Sequence, residues 1–162
     1  MNRSIESVLR FVNVTAAGLL AGSLGFGDVA LVPGWEHERP RDRRGLKTPP
    51  PPPKYFNAIG PVALATSLTL AIGSRNAPPS RRVLDLLSAL GFAGVVGTTM
   101  LVTVPINRKL EEERPLDYVN DDSHALAKNW SRAQGARTAL GVTAFLCAAA
   151  STVLRKTERR RP

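Results

Sequence analysis

A single cysteine, Cys147, stands in the 162 residues. This excludes an intrachain disulfide and any metal centre built from cysteine pairs. Its place inside an apolar run marks it as a small packing residue. Histidine is nearly as scarce, with only His37 and His124. Neither belongs to a His-x-x-x-His or Glu-x-x-His spacing that would set two ligands on one helical face, so no metal and no other cofactor is expected. There is no internal repeat, and no glycine-rich loop of the kind that cradles phosphates. Both histidines read first as solvated loop residues, with His124 placed to fold over one end of the molecule.

The most informative scarcity is local. Residues 11–27, 55–74, 86–107 and 138–154 contain no Asp, Glu, Lys or Arg, in blocks of 17, 20, 22 and 17 residues. The mean hydropathy of -0.08 hides this segregation. A helix rises about 1.5 Å per residue, so roughly 20 apolar residues cross a hydrocarbon layer about 30 Å thick. A soluble four-helix bundle would interleave charges along an outward face, and these blocks have none. Their Ala, Gly, Ser and Thr content suits helices that approach closely in lipid. The expectation is an all-α, four-helix transmembrane bundle running up-down-up-down, a single multi-pass membrane domain over 1–162. The start of the chain also resembles a secretory signal, but its apolar stretch continues through Val29-Ala30-Leu31-Val32, beyond the usual core of about 7–15 residues.

The helices are expected over 8–32, 57–73, 82–104 and 127–154. Residues 33–56 form a polar loop that includes five consecutive prolines, 49–53, which favour an extended polyproline II spacer. The short turn from Ser74 to Ser80 makes the second and third helices antiparallel neighbours. Pro61 is tolerable in the first turn of the second helix, and Pro105 is expected to end the third. Residues 155–162 form a basic tail. The net charge of +9 does not point to nucleic acid, because the basic residues flank the apolar blocks and the tail suits anionic lipid. The terminal side carries 10 Lys/Arg against 12 on the other, a weak asymmetry taken as cytoplasmic termini.

Topology brings the ends of the first and third helices to the same face as the starts of the second and fourth. Asp28, Asn57, Asn107, Trp130, Gln134 and Arg137 therefore share one level. The last three fall on one helical stripe by their spacings of four and three. Polar groups at membrane depth are costly and default to function. Simpler roles are also open: Asp28 and Arg137 pairing, Asn107 capping a short helix over 108–114, and Trp130 anchoring at the interface.

The run Pro105-Ile106-Asn107-Arg108-Lys109-Leu110 is followed by Trp130-Ser-Arg-Ala-Gln134-Gly-Ala-Arg137-Thr-Ala-Leu-Gly141. Together with Asn57-Ala-Ile-Gly-Pro61 and a small-residue first helix ending at Pro33, it resembles the anthrone oxygenase-like family of four-span membrane proteins. The resemblance implies O2-dependent oxidation of a polycyclic aromatic ketone to a quinone, a monooxygenase reaction without metal or flavin. Its substrate would be a hydrophobic aromatic molecule and O2. Under that resemblance Asn107 and Arg137 would steady the oxyanion, with Asp28 or His124 as base. Trp130 would stack on the substrate, and Gln134 and Asn57 would line its site. Gln134 stands where the family has a histidine, so an acid–base step carried by that histidine must come from another group here. The alternatives are a non-enzymatic membrane scaffold or subunit, recruiting partners through its tail and proline run, and a small lipophile-binding protein. Membrane lipid is the expected surrounding, and a homo-oligomer is compatible with the sequence.

Overall fold

The computed structural model describes residues 2–31, 56–112 and 121–158, and the regular structure there is helical. Helix α1 (Arg3–Phe26) opens at Asn2, whose Oδ1 accepts from the Ser4 N–H at 3.0 Å, satisfying one of the free donors of the first turn. It runs on through a π-helical turn, Gly27–Leu31. Helix α2 (Phe56–Gly73) starts a residue ahead of expectation, so Pro61 sits one turn inside it. The bond that Pro61 forgoes is to the carbonyl of residue 57, near the helix start, where the loss is small. The link to α3 (Pro79–Thr98) is tight: Ser74 N–H donates to Leu70 O at 2.9 Å and Ala77 N–H to Ser74 O at 2.8 Å. Pro79 then fills the first helical position, where a missing N–H costs nothing.

Pro105 does not end the third rod. Helix α3 passes through a second π-helical turn, Thr99–Thr103, into α4 (Val104–Glu112) without a break. Proline cannot donate to the carbonyl four residues earlier and its ring crowds it. In the π turn the Val104 N–H reaches back five residues to Thr99 O, and this wider turn lets the rod continue past the proline. Asn107 therefore lies inside α4 and caps nothing. Helix α5 (Asp121–Glu158) is longer than expected at 38 residues, roughly 57 Å, well beyond a hydrocarbon layer of about 30 Å. It takes in Arg155, assigned above to a tail, and the backbone of His124, assigned above to a loop. The proline-rich segment 33–55, His37 and the last four residues lie outside the described residues.

The four rods form a closed ring: α1 packs against α2 and α5, and α3 packs against α2 and α5. The core is built of Ala16, Ala17, Leu20, Leu24, Ala63, Phe92, Val95 and Ala144, with alanines supplying half of the buried positions. Large apolar side chains such as Phe11, Phe26, Val29 and Leu101 instead face outward. Small residues inside and large ones outside is the arrangement that close-packed helices adopt when the surroundings are themselves apolar. Gly91 shows how close the approach is, since a Cβ there would fall 2.8 Å from Ala144 Cβ and 3.1 Å from Leu140 O. The runs Ser4–Ala30, Pro79–Lys109 and Lys128–Arg155 are each long and apolar enough to cross a bilayer, and Ala58–Gly73 is a shorter apolar helix.

Candidate functional site

Two polar centres occupy opposite ends of the ring. One is the predicted gathering at the ends of α1 and α4 and the start of α5. The hydrogen-bond register changes at Gly27, and beside that change the carbonyl of Leu24 accepts from two side chains of α5. Gln134 Nε2 donates at 3.0 Å and Thr138 Oγ1 at 3.2 Å. Gly27 makes room for this, because a Cβ there would stand 3.1 Å from Gln134 Nε2. The other end of the same amide, Gln134 Oε1, accepts from Arg137 Nη1 at 3.1 Å, and that nitrogen also reaches Thr103 Oγ1 at 3.5 Å. A single glutamine thus links the end of α1 to the arginine, and the arginine links α5 to the π turn before α4.

Gln134 and Trp130 are buried, as is Thr103. The burial of Trp130 removes its reading as an outward-facing interfacial anchor. Asp28 is half-buried and faces α5, with its Oδ1 4.0 Å from where a Cβ on Gly135 would stand. The expected neutralisation of Asp28 by Arg137 does not occur: the guanidinium is held by Gln134 and Thr103, and no ion pair joins it to Asp28 among the described residues. Among the described residues, the buried atoms Asn107 Oδ1 and Arg137 Nε find no hydrogen-bond partner. Asn107 lies one turn beyond Thr103, on the same stripe of the rod. The side chains of Asn57 and His124 lie outside the described residues; their backbones fall at the start of α2 and in the first turn of α5. No three His, Cys, Asp or Glu side chains gather among the described residues.

The second centre, at the end holding the chain termini, was not anticipated. Arg10 lies inside α1 and is 2% exposed. Its Nη1 and Nη2 donate to Asp85 Oδ1 and Oδ2 at 3.1 and 2.9 Å, and its Nε donates to Glu6 Oε1 at 3.0 Å. Ser151 Oγ accepts from Arg10 at 2.9 Å and donates to Asp85. Arg155 Nε pairs with Glu6 at 3.0 Å, Arg155 Nη1 donates to Ser7 Oγ at 3.1 Å, and Arg81 Nη1 stands 4.0 Å from Glu6. Three basic residues counted above as free surface charge are therefore tied to acids. One turn deeper, Asn13 Oδ1 accepts from Ser67 at 2.8 Å and Thr66 at 3.0 Å, and Ser67 Oγ is 3.3 Å from Ser88 Oγ. A signal for this centre existed: Arg10, Asp85 and Arg155 each abut a charge-free block on the same face.

The class of molecule these features define is a small helical bundle of three membrane-length rods and one shorter apolar helix, with a buried polar cluster at each end. Within that class the sequence pattern of the anthrone oxygenase family matches residues 54–147. That span covers more than half of the chain and runs from the start of α2 through most of α5. The chain belongs to the anthrone oxygenase family. No curated protein and no solved structure matches it.

Proposed function

We propose that this protein is an integral membrane enzyme that oxidises an anthrone-like polycyclic ketone to the corresponding quinone with O2. Membership of the family supports the reaction class. The observation that carries the site is the pair of buried polar atoms with no partner among the described residues, Asn107 Oδ1 and Arg137 Nε, on two rods inside the matched span. Buried polar atoms are ordinarily satisfied, and at membrane depth an orphan is more costly still. A substrate carrying both an oxygen and an acidic C–H would supply the missing partners.

The chemistry needs a base, donors for a developing oxyanion, and an apolar wall. Loss of a proton from the central methylene spreads negative charge onto the ketone oxygen. Arg137 Nε–H donates to that oxygen, and the Asn107 amide serves the same oxygen or a neighbouring hydroxyl, depending on which way its terminal group is turned. The carbanion transfers electrons to O2, a C–O bond forms, and loss of water from the hydroperoxide leaves the quinone. One oxygen atom enters the product and the other leaves as water. Asp28, half-buried and facing α5, is the base best placed among the described residues. Trp130 supplies a flat apolar wall. Gln134 holds Arg137 and the end of α1 in position rather than moving protons.

The test is turnover by detergent-purified protein, followed as quinone absorbance with O2 uptake. Wild type should convert an anthrone, and Asn107→Ala with Arg137→Ala should lower kcat by about 10²–10³, the usual cost of losing oxyanion donors. Unchanged turnover in the double variant removes this site. Absence of turnover across aromatic ketones by wild type removes the enzyme and leaves the scaffold.

A further inference from the structure

A groove of about 280 Å³ runs between α2 and α3, lined by Leu68, Ala71, Ile72, Arg75, Arg82, Leu86, Ala89, Leu90 and Ala93. It lies beside the tight turn, at the end of the bundle away from Asn107 and Arg137. Its walls follow helical rows. Leu68 and Ile72 are four apart on α2, with Arg75 next beyond them; Arg82, Leu86 and Leu90 succeed one another at intervals of four on α3. Residues at these spacings stack along one face. Because the two helices are antiparallel and joined by the turn, both rows end in arginine at the same end. The alanines between the rows, Ala71 and Ala89, leave the channel open, while Leu68, Ile72, Leu86 and Leu90 stand 44–61% exposed along its rims.

The two arginines differ from their neighbours. Arg10, Arg81 and Arg155 are tied to Glu6 or Asp85. Arg75 and Arg82 are exposed and have no ion pair among the described residues. An apolar channel at membrane depth that ends in two uncompensated guanidiniums is complementary to one kind of molecule: an acyl chain attached to a phosphate. Arginine matches phosphate geometry through paired N–H donors, and basic pockets between membrane helices hold anionic headgroups.

We propose that this groove binds an anionic phospholipid, with its phosphodiester between Arg75 and Arg82 and one acyl chain along the α2–α3 channel. The site is separate from the one assigned to substrate. It rests on the rods lying in a bilayer, and failure of that premise would show independently as protein extracted without detergent.

Native mass spectrometry of the full-length protein, released from nanodiscs of mixed phosphatidylglycerol and phosphatidylcholine, reads the proposal directly. Two arginines near a headgroup favour phosphatidylglycerol by roughly thirtyfold. Arg75→Gln with Arg82→Gln should bring that preference close to one, whereas Arg75→Lys with Arg82→Lys should keep most of it. Ala89→Leu, which fills the channel floor and leaves both charges, should lower retention of either lipid. Equal retention of the two lipids by wild type overturns the proposal, as does a preference that survives the double glutamine variant. Displacement of phosphatidylglycerol by inorganic phosphate at equal concentration would also overturn it, because the acyl chain would then contribute nothing.

Discussion

In the buried cluster at the terminal end of the bundle each charge has a counter-charge: Arg10 spans Glu6 and Asp85, Arg155 returns to Glu6, and Ser151 fills the remaining position. At the opposite end Gln134 and Thr103 are buried but Arg137, Asn107 and Asp28 are only half-buried, and the polar groups are less completely matched. Gln134 serves the Leu24 carbonyl and one arm of Arg137, while Arg137 Nε and Asn107 Oδ1 face no partner among the described residues. The same kinds of side chain thus build a closed cluster at one end and an open one at the other. A closed cluster contributes to holding rods together, and removing one member leaves a buried charge exposed to an apolar surrounding. An open cluster contributes less to stability and keeps donors and acceptors ready for something not in the chain. This difference is a physical argument, independent of any relative, for looking for the proposed site at the open end.

Substitutions can break that contrast, and the largest effect belongs to the closed end. Asp85→Ala strands Arg10 and should destabilise the bundle by about 3–5 kcal/mol, read as a shifted unfolding midpoint in detergent. Arg10→Met with Asp85→Leu removes both charges and should recover most of that loss. A double variant as unstable as the single one would show that packing, not charge, dominates there. Next in size, Gln134→Ala removes one of the two side-chain donors to the Leu24 carbonyl and the acceptor of one Arg137 arm, and should cost about 1–2 kcal/mol. Gln134→His, which restores the imidazole expected from the family pattern, should raise turnover by about 10² if proton transfer limits the reaction. The smallest structural effect is expected at the open end: Asn107→Ala removes an oxygen with no partner and should change stability by less than about 0.5 kcal/mol. A large destabilisation by Asn107→Ala would mean that the open cluster is closed after all.

The four rods were legible from the charge-free blocks because an unbroken apolar run of that length has few other uses. The level shared by Asp28, Gln134 and Arg137 was legible too, since it follows from alternating direction alone. What escaped were details that depend on distant partners. Arg10 and Asp85 border their blocks, and a border charge looks the same in sequence whether it faces water or a partner 75 residues away. Pro105 read as a terminator because proline disfavours a continuing helix, and only the π turn ahead of it lets the rod run on. Trp130 read most simply as an interfacial anchor, and its burial does not suit an outward-facing one. The pairing of Asp28 with Arg137 failed because a glutamine and a threonine reach the guanidinium first.

The closed cluster also carries a consequence for how the chain is made. Arg10 is synthesised 75 residues ahead of the aspartate it embraces, an interval of roughly 4–15 s at ribosomal rates of about 5–20 residues per second. During that time the arginine of the first helix is uncovered by α3 and α5, and a bilayer around it would make that exposure costly. Glu6, one turn away on the same helix, is already present and bonded to the arginine's Nε. It is the counter-ion that the arginine already has within a single turn of helix, and in the folded bundle the same carboxylate oxygen also pairs with Arg155. The arginine's partners thus become available in a fixed order along the chain, Glu6 first and Asp85 later, with Arg155 joining Glu6 last.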